Sequence, residues 1–141
     1  MSFMDSIKTC FGKYTTFAGR AQRSEFWFFV LFVNLGALVF YAVIFSMIYT
    51  DAMMGAAQND SFETGMTSAF PIIPSILLLV FILVTFLPNL SVMVRRLHDT
   101  NRSGWWYWIA LIPFIGIFIL LYFLVSKGTE GDNDFGADPL A

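Results

Sequence analysis

Two clusters of charged groups stand out in this chain. Arg20, Arg23 and Glu25 form one group, and Arg95, Arg96, His98, Asp99 and Arg102 form the other. Five guanidinium groups and the only imidazole in the chain suit the holding of an anion, either a lipid phosphate or a soluble one. Basic clusters beside a membrane attract anionic lipid by about 1 kcal/mol per charge. Arg20, Arg23, Arg95, Arg96, His98 and Arg102 are therefore the candidate anion- and lipid-binding residues. The plainer reading makes the same arginines orientation signals whose long side chains reach the headgroups. Glu25 is a candidate ion-pair partner for Arg95 or Arg96.

Other chemistry is poorly supplied. His98 and Asp99 are neighbours in sequence, which does not bring their side chains together. Ser103 is the nearest hydroxyl, and its place before Gly104 and Trp105 suits an N-cap. No nucleophile motif, phosphate loop or dinucleotide glycine pattern is present, so no catalytic residue and no cofactor is expected. A single cysteine, Cys10, excludes an internal disulfide and a cysteine metal cluster, and the single histidine excludes a multi-histidine site. In the C-terminal GTEGDNDFGADP, Asp132, Asp134 and Asp138 with Gly136 have part of the look of a calcium loop. The glycine and the twelfth-position glutamate are misplaced for one, so no metal is expected. No basic run suggests nucleic acid.

The elements that must position these groups follow from composition. The 141 residues are 57% hydrophobic, include 17 Phe, and are only 13% charged, where a soluble domain has about 25% charged residues. So small a soluble chain could not hide that much apolar surface, but lipid can receive it. Three uncharged stretches, 26–49, 70–94 and 105–125, each reach the roughly 20 residues a spanning helix needs. They do not alternate as barrel strands would. The first is too long and too late for a cleaved signal sequence and reads as an uncleaved anchor. Asn34 and Asn89 fall at similar depths in the first two stretches, where an amide pair acts as interhelical glue or lines a polar path. Pro113 should kink the third stretch, with Gly116 one turn on. Trp27 and the run Trp105, Trp106, Tyr107, Trp108 suit a membrane interface.

Ahead of the first stretch, Phe3, Ile7, Cys10, Tyr14 and Phe17 recur at helical spacing. They predict an amphipathic helix over residues 1–18 lying in the interface, with Gly19 as the bend into the first span. The expected fold is an all-α membrane protein in one domain: this helix, three transmembrane helices, and a polar tail over 126–141. Seven of the eight Lys and Arg lie before the first stretch or between the second and third. The positive-inside rule puts those regions in the cytoplasm. With three spans the tail and the acidic connection, with Asp51, Asp60 and Glu63, lie outside. Pro71, Pro74 and Pro88 are the weak point, because a re-entrant second stretch would move the tail to the other side.

Three segments, FAGRAQRSEFW at 17–27, RRLHDTNRSGWW at 95–106 and GTEGDNDFGADP at 128–139, resemble in order and spacing the bacterial inner-membrane family called domain of unknown function 805. Phe26 and Phe135 stand where tyrosine is common, and Asn101 where glycine is common. The resemblance implies a small polytopic inner-membrane protein and carries no catalytic residues. The expected role is structural, an interaction or accessory protein of the membrane that binds itself or a membrane complex. The alternatives are an oligomeric small-solute transport or channel component, and a module binding anionic lipid or anions at the cytoplasmic face.

Overall fold

A computed structural model describes residues 1–57 and 71–140; Asp60, Glu63 and Phe70 lie outside the described residues. Among the described residues the regular elements are all helical: α1 (Phe3–Gly12), α2 (Arg23–Ala57), α3 (Ile72–Asp99), a 3₁₀ segment (Gly104–Leu111) and α4 (Ile115–Val125). Two of them, α2 and α3, are long and apolar enough to cross a membrane. The chain forms two compact units, residues 33–84 and residues 1–32 with 85–140.

The unit 33–84 holds the C-terminal part of α2 and the N-terminal part of α3. Gly36 lets the two backbones close up, since a Cβ there would run into the Phe81 ring, and Phe40 packs on Phe81 at 5.6 Å between ring centroids. Leu38, Phe45 and Ile73 remain well exposed. In water that would be a large apolar patch, whereas in a bilayer it is a helix surface facing lipid. α2 continues past the predicted end at Tyr49, helped by Thr50, whose hydroxyl donates back to the Ser46 and Met47 carbonyls.

The second unit begins with α1, whose Ser2 and Asp5 form a reciprocal capping box. α1 stops at Gly12 and does not run on to Ala18. It packs on the first turns of α2 through Phe3–Phe28, Phe11–Phe29 and Phe11–Phe32, at 5.7–6.1 Å between centroids. The Ser6 hydroxyl donates to the Glu25 carbonyl at 2.5 Å. After Gly12 the chain is held by Ser91 of α3, whose hydroxyl is 3.1 Å from the Lys13 carbonyl and 2.7 Å from that of Thr16. Gly19 makes the bend at φ 87°, and the Ala21 amide then donates to the Arg95 carbonyl.

The third apolar stretch departs from expectation. It is not one helix. Ser103 caps a 3₁₀ segment that ends at Leu111, and α4, only 11 residues, starts at Ile115. Between them Phe114 has φ 64° and ψ −60°, and the Ile115 amide donates to the Pro113 carbonyl at 2.8 Å. That is a γ-turn of the strained, positive-φ kind. It reverses the chain, and Gly116 then lies so close to the Ile109 carbonyl that no Cβ fits. Trp106 and Phe123, which a continuous helix would hold about 26 Å apart, touch at 5.4 Å. The expected span over 105–125 is thus corrected to a hairpin. α4 is about 16 Å long, roughly half the hydrocarbon thickness.

Candidate functional site

α3 also runs beyond the predicted end at Val94, to Asp99. This places Arg95, Arg96 and Asp99 on rigid helix, where cations near the C-terminus suit the helix dipole. Arg96 and Asp99, one turn apart, pair directly. Arg20 approaches from the segment before α2, with Nε donating to Asp99 Oδ1 at 3.0 Å. One carboxylate thus holds two guanidinium groups. The side chains of Arg20, Arg96 and Asp99 are at most 5% exposed.

The remaining donors reach the end of the chain. Arg96 Nε donates to the Leu124 carbonyl at 3.0 Å, and its Nη2 to that of Ser126. Arg20 donates through Nη1 to Gly131 at 2.5 Å and through Nη2 to Thr129 at 2.6 Å. The Thr129 amide and hydroxyl both bond the Asp99 carbonyl. The tail is therefore strapped onto the C-terminal end of α3.

Further bonds shape the strap. Asn133 and Gly136 bond each other through their backbones, and Asn133 Nδ2 donates to the His98 carbonyl at 2.9 Å. The His98 ring stacks on Phe135 at 4.1 Å, nearly parallel, and its Nδ1 is 3.2 Å from the Gly19 carbonyl. Asp138 accepts from the Leu140 and Gly131 amides, and those two bonds hold its carboxyl below the usual carboxylate range.

A second pair lies beside this clasp. Arg95 Nη1 is 2.6 Å from Glu25 Oε1, with both side chains buried. So Glu25 goes to Arg95, and Arg96 goes to Asp99. Arg95 Nε and Nη2 are buried without a hydrogen-bond partner, as is Asn89 Oδ1. The amide pairing predicted for Asn89 therefore does not run through its oxygen. Asn34 belongs to the other unit. Of the remaining predicted site residues, Arg23 is exposed. Arg102 lies over the Phe123 ring at 3.9 Å and donates to the Thr100 carbonyl. The structure thus gathers Arg20, Arg96 and His98 around Asp99 and the tail, with Arg23 lining the same small cavity as Arg20, Asp99 and Thr129, and leaves Arg102 apart from them. Among the described residues no group of His, Cys, Asp and Glu is arranged to hold a metal ion.

Cys10 faces the Glu25–Arg95 pair from α1. Burial, and after it the charge of Glu25, push its thiol up to about 12. A thiol so raised is almost wholly protonated, and the thiolate is the reactive form. A maleimide at mildly alkaline pH should therefore leave Cys10 unmodified in the folded protein and label it after denaturation. Rapid labelling of the folded protein would mean that α1 does not seat on α2.

Asp99 and the tail were missed as site residues. The available signal was a carboxylate one helical turn after an arginine, followed by a glycine-rich polar run with no other task.

Residues 14–137 match the family model described as protein of unknown function (DUF805). The chain belongs to this family. It is 37% identical over 138 residues to the inner membrane protein YhaH of Escherichia coli (strain K12), covering 96% of this chain and 97% of that one. It is 36% identical over 127 residues to the inner membrane protein YhaI of the same strain, covering 89% and 87%. No solved structure matches. All three parts of the clasp, around Arg20, around Asp99 and in the strap over 124–131, fall within the DUF805 match.

Proposed function

We propose that this DUF805 protein is a non-enzymatic interaction scaffold of the inner membrane, in which two spans and a re-entrant C-terminal hairpin carry a folded platform on the cytoplasmic side. The observation behind this reading is the clasp in which Asp99 holds Arg20 and Arg96 while both arginines hold the tail. A clasp of that kind requires the N-terminal segment, the end of α3 and the tail to share one side. Charge supports the same arrangement. All eight Lys and Arg lie in residues 8–23 and 95–127, and none lies in residues 24–94. With two spans every one of them, Lys127 included, is cytoplasmic.

The scaffold role also follows from what the arginines do. Arg20, Arg95 and Arg96 are buried against protein carboxylates and carbonyls. A guanidinium buried against protein acceptors positions backbone and is a poor receptor for a passing anion. What the platform leaves outward is the acidic, turn-rich strap, with Glu130, Asp132 and Asp134 exposed. That surface suits a protein partner or a second copy.

Reporter fusions test the topology. A fusion after Ala141 and one within residues 100–103 should both read cytoplasmic. An extracytoplasmic signal at Ala141 would rule out the hairpin and bring back a third span. A photo-crosslinker at Asp134 should then yield defined protein adducts in cells. A clean absence of adducts at Asp134 and Asp132 alike would remove the interaction role.

A further inference from the structure

One side of α3 is hollow. Phe86, Leu90, Val94 and His98 recur every four residues and so form a single stripe on that helix. This stripe is the floor of a groove of about 640 Å³, walled by Phe17 on one side and by the 3₁₀ segment with Trp105, Tyr107 and Trp108 on the other. From Phe86 to His98 the floor runs about 18 Å along the helix axis.

The groove is polar at one end only. His98 and Ser103 stand there, at the basic end of α3, and Gly104 closes that end by pressing on Val94, where a Cβ would come within 2.8 Å of the Val94 side chain. Everything deeper is hydrocarbon or aromatic ring. Lys13 is exposed, and its carbonyl is bonded by Ser91, the residue after Leu90, so its backbone stands beside the middle of the floor, about 10 Å along the axis from His98.

We propose that the groove is a binding site for one chain of an anionic phospholipid, with the acyl chain along Phe86–Val94 and the headgroup phosphate near His98 and Ser103. Size selects the occupant. A helix is about 10 Å across, so 18 Å of one would fill roughly 1,400 Å³, about twice the space. The volume falls within the roughly 300–1,000 Å³ of small-molecule sites. The direction of the groove selects it too, because a phospholipid is apolar along its length and charged at one end. The arginine clasp plays no part, and the proposal rests on α3 lying in the bilayer, not on the scaffold role.

The test uses the full chain in mild detergent, titrated with palmitoyl-oleoyl phosphatidylglycerol or the matching phosphatidylcholine and read by native mass spectrometry. One phosphatidylglycerol per chain should survive activation that strips the rest. Leu90→Trp, which fills the groove, should cut that retained lipid about tenfold, as expected from losing a buried chain segment. Leu79→Trp, at an exposed position elsewhere on α3, should leave it unchanged. Equal retention by Leu90→Trp and the parent, or equal loss in Leu79→Trp, overturns the site. Should Leu90→Trp not fold, the parent decides. Phosphatidylglycerol spin-labelled near the chain end should show one immobilised chain per protein in a phosphatidylcholine bilayer, and free exchange of all labelled lipid overturns the proposal.

Discussion

Asp99→Ala should be the most damaging single substitution in the chain. It leaves Arg20 and Arg96 facing each other, buried, with no anion between them. Removing one partner of a buried ion pair costs about 3–5 kcal/mol, mostly because the other charge is stranded, and here two cations are stranded at once. Whole domains are stable by only about 5–15 kcal/mol. The strap should come off with the carboxylate, since Arg20 and Arg96 would turn toward water and release residues 124–131. Limited proteolysis should then cut the tail, and the detergent melting temperature should fall steeply. Asp99→Asn should be milder, because its amide oxygen still accepts one bond. A variant that melts and resists protease like the parent would show that the clasp contributes nothing.

Glu25→Ala should come second. Arg95 is fully buried, and its sole anionic partner among the described residues is Glu25 at 2.6 Å. Its Nε and Nη2 find no other acceptor, so loss of the carboxylate strands the whole charge, again at about 3–5 kcal/mol. Glu25→Arg should cost more, since it adds repulsion. The pair itself need not be stabilising overall. Glu25→Leu with Arg95→Met should recover most of the loss or exceed the parent, as apolar replacements of buried ion pairs often do. The cycle of single and double variants measures the coupling in a detergent unfolding assay. Strictly additive losses would show that the two side chains do not act on each other.

Much of the helical layout can be read from residue types. Long uncharged runs give α2 and α3, and helical spacing gives α1. An antiparallel pair of such helices brings Glu25 level with Arg95 and Arg96, although spacing alone does not choose between them. The choice depends on Asp99, which takes Arg96 because it lies one turn further along the same helix.

The hairpin is illegible for a physical reason. Hydropathy records how apolar a stretch is, and both arms of this hairpin are as apolar as a span. Pro113 marks a break, but a proline kink and a full reversal differ only in the next residue. That residue is Phe114, and a bulky side chain at positive φ is what propensity argues against. Counting spans assigns the tail a side before any contact is considered, so the tail's contacts with Arg20 and Arg96 do not enter that count. The strap itself could not be read either. Its bonds to Arg20 and Arg96 run through backbone carbonyls, which every residue carries.

The clasp also sets an order of events during synthesis. Arg20 and the Gly131 carbonyl it holds are 111 residues apart. At about 5–20 residues per second the second follows the first from the ribosome after roughly 6–22 s. α1, α2 and α3 can all enter the bilayer in that interval, but Arg20 and Arg96 cannot close on a strap that does not yet exist. Until Thr129 and Gly131 arrive, the bonds that Arg20 makes to their carbonyls cannot form. Arg20 and Arg96 therefore have Asp99 as a partner before they have the strap, and the strap is the last part of the clasp to form.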